Sequence, residues 1–242
     1  MTRKVNLLCF SFAGGNKYSY RIFNDKAAPF FNIVTIEYPG RGSRIKEPLI
    51  SDMPMLIDDL YKQVNAVVGT DKYVIYGHSL GGLVAYLMTL KLLENKHRPP
   101  EHLFITGTTG PSGSSRSEKM RSSLPHDEFI QEIKDLGGMP DEILASEDML
   151  NYLEPILRND FKVSETYVYQ ENPPLNVPLT VITGTDEDME MEEILLWQKE
   201  SALPVDFRQM PGGHFFILQH VNEIMDIITD KSINRLKSLD HG

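Results

Sequence analysis

Three features of this chain have residue types and spacing that could do chemistry: a serine between two glycines, a late histidine, and carboxylates between them. The first is Gly77-His78-Ser79-Leu80-Gly81. A Gly-x-Ser-x-Gly pentapeptide between a strand and a helix forces its serine into a strained turn, with the hydroxyl clear of the backbone. A serine hydroxyl is a weak nucleophile until a base takes its proton, and that base must be oriented by a third group. For this architecture the expected chain order is serine, acid, histidine.

His214 fits the base. It follows Met210-Pro211-Gly212-Gly213, a turn after a strand-like run, and precedes the apolar Phe215-Phe216-Ile217-Leu218. His220 and His241 also come late, but at a helix start and in a tail, and His78 lies inside the elbow, where we expect it to shape the substrate entrance. The acid is open. Gly184 ends a strand-like run, and Thr185-Asp186-Glu187-Asp188 follows with three carboxylates for one role. Asp186 has the shorter, stiffer side chain, and Glu187 competes with it.

The same chemistry needs an oxyanion hole, two backbone N–H groups aimed where negative charge develops, each worth about 3 to 4 kcal/mol. Leu80, the residue after the nucleophile, would supply one. The glycine-rich Phe12-Ala13-Gly14-Gly15, after the first strand-like run, would supply the other, from Ala13 or, next, Phe12. No Gly-Lys-Ser/Thr follows it, which argues against a phosphate-binding loop.

By chance the pentapeptide occurs in about one chain in ten of this length, so the flanking elements carry the argument. Tyr73-Val74-Ile75-Tyr76 reads as a buried strand and Leu83 to Leu93 as a helix. Further strands are expected at Lys4 to Phe10, Ile33 to Tyr38, His102 to Thr106, Leu179 to Thr183 and Val205 to Met210. Helices are expected at about Tyr18 to Phe30, Met55 to Val68 and Val221 to Leu236. Such alternation implies an α/β fold with a mostly parallel sheet covered on both faces. Between about 111 and 172 the alternation stops. Helical patterns at Asp127 to Leu136, Ser146 to Leu157 and Phe161 to Gln170 form an insertion that would cover Ser79, punctuated by Gly137-Gly138-Met139-Pro140 and Pro155.

The chain has 242 residues, 41% of them hydrophobic and 24% charged, as expected of one globular domain over residues 1–242. Val5 to Phe10 is too short for a signal-peptide core or a membrane span, which points to the cytoplasm. The single cysteine, Cys9, excludes an internal disulfide and reads as a core thiol. A net charge of -10 argues against nucleic acid or an anionic membrane as a partner. Arg116, Lys119 and Arg121 form the one tight basic cluster, read as a solvated loop in preference to a docking patch.

The chain resembles the type II thioesterases, stand-alone hydrolases associated with nonribosomal peptide and polyketide assembly lines. The resemblance spans nearly its whole length. It rests on Phe10-Ser11-Phe12-Ala13-Gly14-Gly15, Tyr38-Pro39-Gly40-Arg41-Gly42-Ser43-Arg44 and Gly77-His78-Ser79-Leu80-Gly81-Gly82. In the insertion it adds Ser123-Leu124-Pro125, Leu136-Gly137-Gly138-Met139-Pro140 and Leu157-Arg158-Asn159-Asp160-Phe161, and near the end Gly212-Gly213-His214-Phe215-Phe216. The chain departs from the family at Ser11, where proline is usual. The family's acid lies three residues after the strand-end glycine, which favours Glu187 over Asp186.

The resemblance implies an α/β-hydrolase fold with a helical lid, and hydrolysis of acyl groups from the phosphopantetheine arm of acyl or peptidyl carrier protein domains. Encounters would be transient and the protein a monomer. Ser79, His214 and Glu187 or Asp186 would be catalytic, and Phe12, His78 and Phe215 would bind substrate. No metal or other cofactor is implied, since the substrate brings its own phosphopantetheine. A general carboxylesterase or lipase, or a thioesterase releasing fatty acids from their carrier, shares these residues and is the alternative.

Overall fold

The computed structural model of the protein describes residues 4–69 and 71–234, and the side chains of all of these except 116, 117 and 234. Six strands, β1 (Val5–Phe10), β2 (Phe31–Ile36), β3 (Tyr73–His78), β4 (Leu103–Thr106), β5 (Leu179–Gly184) and β6 (Asp206–Met210), form one sheet in the order β2-β1-β3-β4-β5-β6. Every neighbouring pair is parallel. All six residues of β3 and all six of β5 are buried, as in a sheet covered on both faces.

Alternation within the strands feeds two cores. Leu8, Phe10 and Ile75 pack with α1 (Met53–Val68) and α2 (Leu80–Glu94) on one face. Leu7, Cys9, Val74 and Tyr76 pack on the other with the last helix, α5 (Val221–Thr229). Burial pushes the Cys9 thiol far above its ordinary pKa, so it stays a protonated core group.

The insertion lies between β4 and β5. Its main helices are α3 (His126–Leu136) and α4 (Glu147–Glu165). They enclose a small core of their own, in which Phe129, Ile130, Ile133 and Leu157 are buried. Among the described residues no helix is long and apolar enough to cross a membrane.

Several expected boundaries move. The single helix expected over Tyr18 to Phe30 is a 3-10 turn at Arg21–Phe23 followed by one α turn at Asn24–Ala27. Tyr20, Phe23 and Ala27 still bury, so the apolar periodicity was satisfied by two turns. The two helices expected over Ser146 to Gln170 are one, and Pro155 lies inside it without ending it. Proline removes one N–H and usually kinks a helix, but Ile156, Leu157, Asp160 and Val163 are all buried beyond it, and that packing carries the helix through. The last helix gives way after Thr229 to a π turn over Asp230–Asn234, and its expected end at Leu236 lies outside the described residues, as does His241.

Candidate active site

Ser79 has φ 56° and ψ -123°, a conformation that L residues rarely adopt, and caps the N-terminus of α2. Such backbone costs about 1 to 3 kcal/mol and persists only where its surroundings enforce it. The glycines of the pentapeptide show how. A Cβ on Gly77 would lie 2.0 Å from the carbonyl oxygen of Gly81, and one on Gly81 would lie 2.0 Å from that of Phe10. The elbow is therefore pressed against its own far side and against the end of β1. The Ser79 amide donates to the Thr106 carbonyl at 2.8 Å, tying the elbow to β4 as well.

The histidine and the acid arrive from the ends of β6 and β5. His214 Nε2 lies 3.0 Å from Ser79 Oγ, and His214 Nδ1 lies 2.6 Å from Glu187 Oε1. An ionised carboxylate only accepts, so Nδ1 carries the proton and Nε2 is free to accept from Ser79. Glu187 Oε2 accepts from the Gly184 amide at 2.6 Å, which fixes the carboxylate plane from behind. The Glu187 side chain is 4% exposed and that of His214 20%. Of the two acids left open by the sequence, Glu187 meets His214, whereas Asp186 is exposed and accepts from the Thr185 hydroxyl at 2.9 Å. A Cβ on Gly184 would lie 2.3 Å from the Gly212 carbonyl, so the loop bearing the acid and the loop bearing the histidine touch at this glycine.

Pairing of Phe10 with Gly77 brings the loop after β1 out beside the elbow. Ala13 lies within a tight turn in which the Gly15 amide donates to the Phe12 carbonyl at 2.9 Å. Leu80 lies in the first turn of α2, where helix geometry leaves amides without intrahelical acceptors. The elbow and this loop share one cavity of about 330 Å³, lined by Phe12, Ala13, Ser79, His214 and Phe215 on the sheet side and roofed by the lid. The roof is mostly apolar, with Ile133, Met149, Leu153, Leu157 and Phe161 among its residues. The Gly137-Gly138 turn sits directly on Phe215: a Cβ on Gly138 would lie 2.4 Å from that ring.

Phe12 and Phe215 face the cavity and pack edge to face with centroids 5.0 Å apart. His78, expected at the substrate entrance, does not line the cavity. It is fully buried behind His214, with ring centroids 4.9 Å apart, and its Nδ1 lies 3.0 Å from Thr106 Oγ1. As the last residue of β3 it points down among the strand ends, not up toward the lid. Burial, and then the neighbouring His214, hold its pKa well below 6.5, so it is neutral. His220 lies on another path, bonded through Nε2 to the Pro211 carbonyl at 2.9 Å. In the basic cluster, Lys119 and Arg121 both pair with Glu132 on α3, and the Arg116 side chain lies outside the described residues. Among the described residues no three or more His, Cys, Asp or Glu side chains are grouped to hold a metal ion.

The Thioesterase domain family matches residues 5–232. The chain belongs to this thioesterase family. A probable cadicidin biosynthesis thioesterase from Streptomyces griseus is 34% identical to this thioesterase over 221 residues, 91% of the chain and 60% of that protein's length. Thioesterase PikA5 from Streptomyces venezuelae is 28% identical over 228 residues, 93% of the chain and 80% of PikA5. The crystal structure of ClbQ from the colibactin NRPS/PKS pathway superposes with a TM-score of 0.91 at 28% identity, covering 98% of this thioesterase and all of ClbQ. The family, the α/β-hydrolase architecture and the likeness to type II thioesterases read from the motifs agree with these relatives.

Proposed function

We propose that this thioesterase removes acyl groups from the phosphopantetheine arm of carrier proteins in nonribosomal peptide or polyketide synthesis. The observation that carries the reading is the continuous chain Glu187, His214, Ser79 opening onto an apolar cavity beneath the lid. Its relatives named for such pathways support the choice of substrate.

In this mechanism Ser79 Oγ attacks the thioester carbonyl as its proton passes to His214 Nε2, and Glu187 stabilises the imidazolium. The carbonyl oxygen becomes an oxyanion held by the amides of Leu80 and Ala13. Collapse breaks the carbon–sulfur bond. The sulfur, whose thiol has a pKa of about 8.5, leaves with little acid assistance and takes the proton from His214 Nε2, so the free thiol departs and the imidazole is neutral again. Water then enters, gives a proton to His214 and attacks the acyl-Ser79 ester, and His214 returns that proton to Ser79 as the free acid departs. None of these steps uses a metal or a redox group. The partner would be an acyl or peptidyl carrier protein domain, met transiently by a monomer.

The experiment is the rate of acid release from one short acyl group presented on a holo carrier protein, on coenzyme A and as a phenyl ester. The reading expects the carrier to give the highest kcat/KM. A phenyl ester turned over best, with no advantage from the carrier, would make the protein an esterase of the same machinery.

A further inference from the structure

The mechanism leaves one buried ion pair unused, and it joins the lid to the loop that bears the Ala13 amide. Arg41, in the loop after β2, and Asp160, on α4, are 3% and 2% exposed. They meet as a fork, Nη1 to Oδ2 at 2.5 Å and Nη2 to Oδ1 at 2.7 Å. Asp160 Oδ2 also accepts from the Gly14 amide at 2.8 Å, and Arg41 Nη1 also donates to the Gly15 carbonyl at 3.2 Å. One turn earlier on α4, Leu157 closes on the same spot: a Cβ on Gly14, whose φ is +74°, would lie 2.5 Å from Leu157 Cδ2.

A buried ion pair is poor evidence for stability, because apolar replacements of similar volume often match it. Its geometry here does something apolar residues could not. The peptide units on the C-terminal side of Ala13 are pinned at Gly14 N–H and Gly15 C=O, and the unit that contains the Ala13 N–H is pinned at its Phe12 oxygen. The first two pins come from Asp160 and its partner Arg41. We infer that Asp160, held by Arg41, is a positioning residue that completes the oxyanion hole only when the lid helix α4 is seated. Substrate beneath a seated lid then meets a formed hole, and movement of α4 away from the loop takes the Gly14 acceptor with it.

This rests on the reading that Ala13 donates to the oxyanion, and the test separates the two. Arg41→Met/Asp160→Leu and Arg41→Met/Asp160→Asn each remove both charges of the pair, so neither partner is left alone, and buried Glu37 beside Arg41 keeps its bonds from the Lys17 and Ser43 amides. Only asparagine keeps an oxygen for the Gly14 amide. Two probes separate the hole from the cavity. An alkylthio trifluoromethyl ketone forms a hemiketal, in which Ser79 Oγ bonds to the carbonyl carbon, its proton moves to His214 Nε2 and the carbonyl electron pair becomes an oxyanion. A thioether analogue of the same chain has no carbonyl and reports cavity binding alone.

For the leucine pair we expect kcat and ketone affinity to fall together by about 10- to 100-fold, less than or equal to the loss of one whole donor, with thioether affinity little changed. The asparagine pair should recover most of both. Equal loss of ketone and thioether binding, or identical behaviour of the two pairs, would overturn the inference. A wild-type protein that ignored the ketone would overturn the oxyanion reading along with it. Should the leucine pair fail to fold, amide exchange of the wild type decides: the ketone should slow residues 12–16 and 156–165 together, since coupling between sites is reciprocal. Slowing of the loop alone would contradict it.

Discussion

Replacing Glu187 by glutamine, beside Asp186→Asn as its control, probes the site where two neighbouring carboxylates differ most in their surroundings. Glutamine has nearly the shape of glutamate but one oxygen where there were two. The Gly184 N–H, 2.6 Å from Glu187 Oε2, requires an acceptor and claims that oxygen. The amide NH₂ is then turned toward His214 Nδ1, 2.6 Å from the other carboxylate oxygen. Nδ1 must now accept, so the ring's proton moves to Nε2 and His214 can no longer take a proton from Ser79. The imidazolium also loses its countercharge. Loss of tautomer control in a triad of this kind costs about 10⁴ in kcat, or about 5 kcal/mol in barrier, with little effect on KM. Asp186→Asn leaves the exposed Thr185 contact and the Asp186 amide bond to the Gly212 carbonyl in place, and should keep kcat nearly unchanged. Steady-state thiol release from an acyl thioester measures both, with melting curves to show that each variant folds. An active Glu187→Gln beside an inactive Asp186→Asn would refute the argument.

Gly81→Ala should drive a methyl into the Phe10 carbonyl, 2.0 Å away and unable to move aside, costing about 3 kcal/mol. For a chain of this size that lowers Tm by about 6 to 12 °C, and a melt matching wild type would show that the elbow has room. Buried His78 stays neutral when folded but takes a proton below pH 6.5 when unfolded, so the unfolded state binds more protons and stability falls as pH drops below that value. His78→Gln should remove about 2 kcal/mol of the difference in unfolding free energy between pH 7 and pH 5; urea midpoints with the same pH dependence as wild type would contradict the buried, neutral assignment. Leu153→Trp at the cavity roof should lower kcat/KM for a decanoyl thioester more than for an acetyl one. Equal losses would mean that the acyl chain lies elsewhere.

The sheet and its cover were legible because the strands are dense apolar runs and the helices between them amphipathic, a pattern set by burial on both faces. Ser79 and His214 announced themselves through the glycines that their turns require. Between Asp186 and Glu187 the sequence signals pulled apart, side-chain stiffness toward Asp186 and spacing from Gly184 toward Glu187; in the fold Glu187 meets His214 and is restrained by the Gly184 amide. His78 was misplaced because a pentapeptide says nothing about which way the strand's last side chain points. Pro155 misled for a related reason: helix propensity is local, whereas the burial that carries α4 past it is tertiary. Arg41 and Asp160 lay in quoted motifs 119 residues apart, and nothing in either segment shows that they meet.

The central claim is that Ser79 is the nucleophile of a thioester hydrolase. Acid release from an acyl thioester by the wild type and by Ser79→Ala, at equal concentration, tests it most directly. The account predicts a fall of at least about 10⁴-fold with the fold retained. A Ser79→Ala protein that releases acid as fast as the wild type would contradict it.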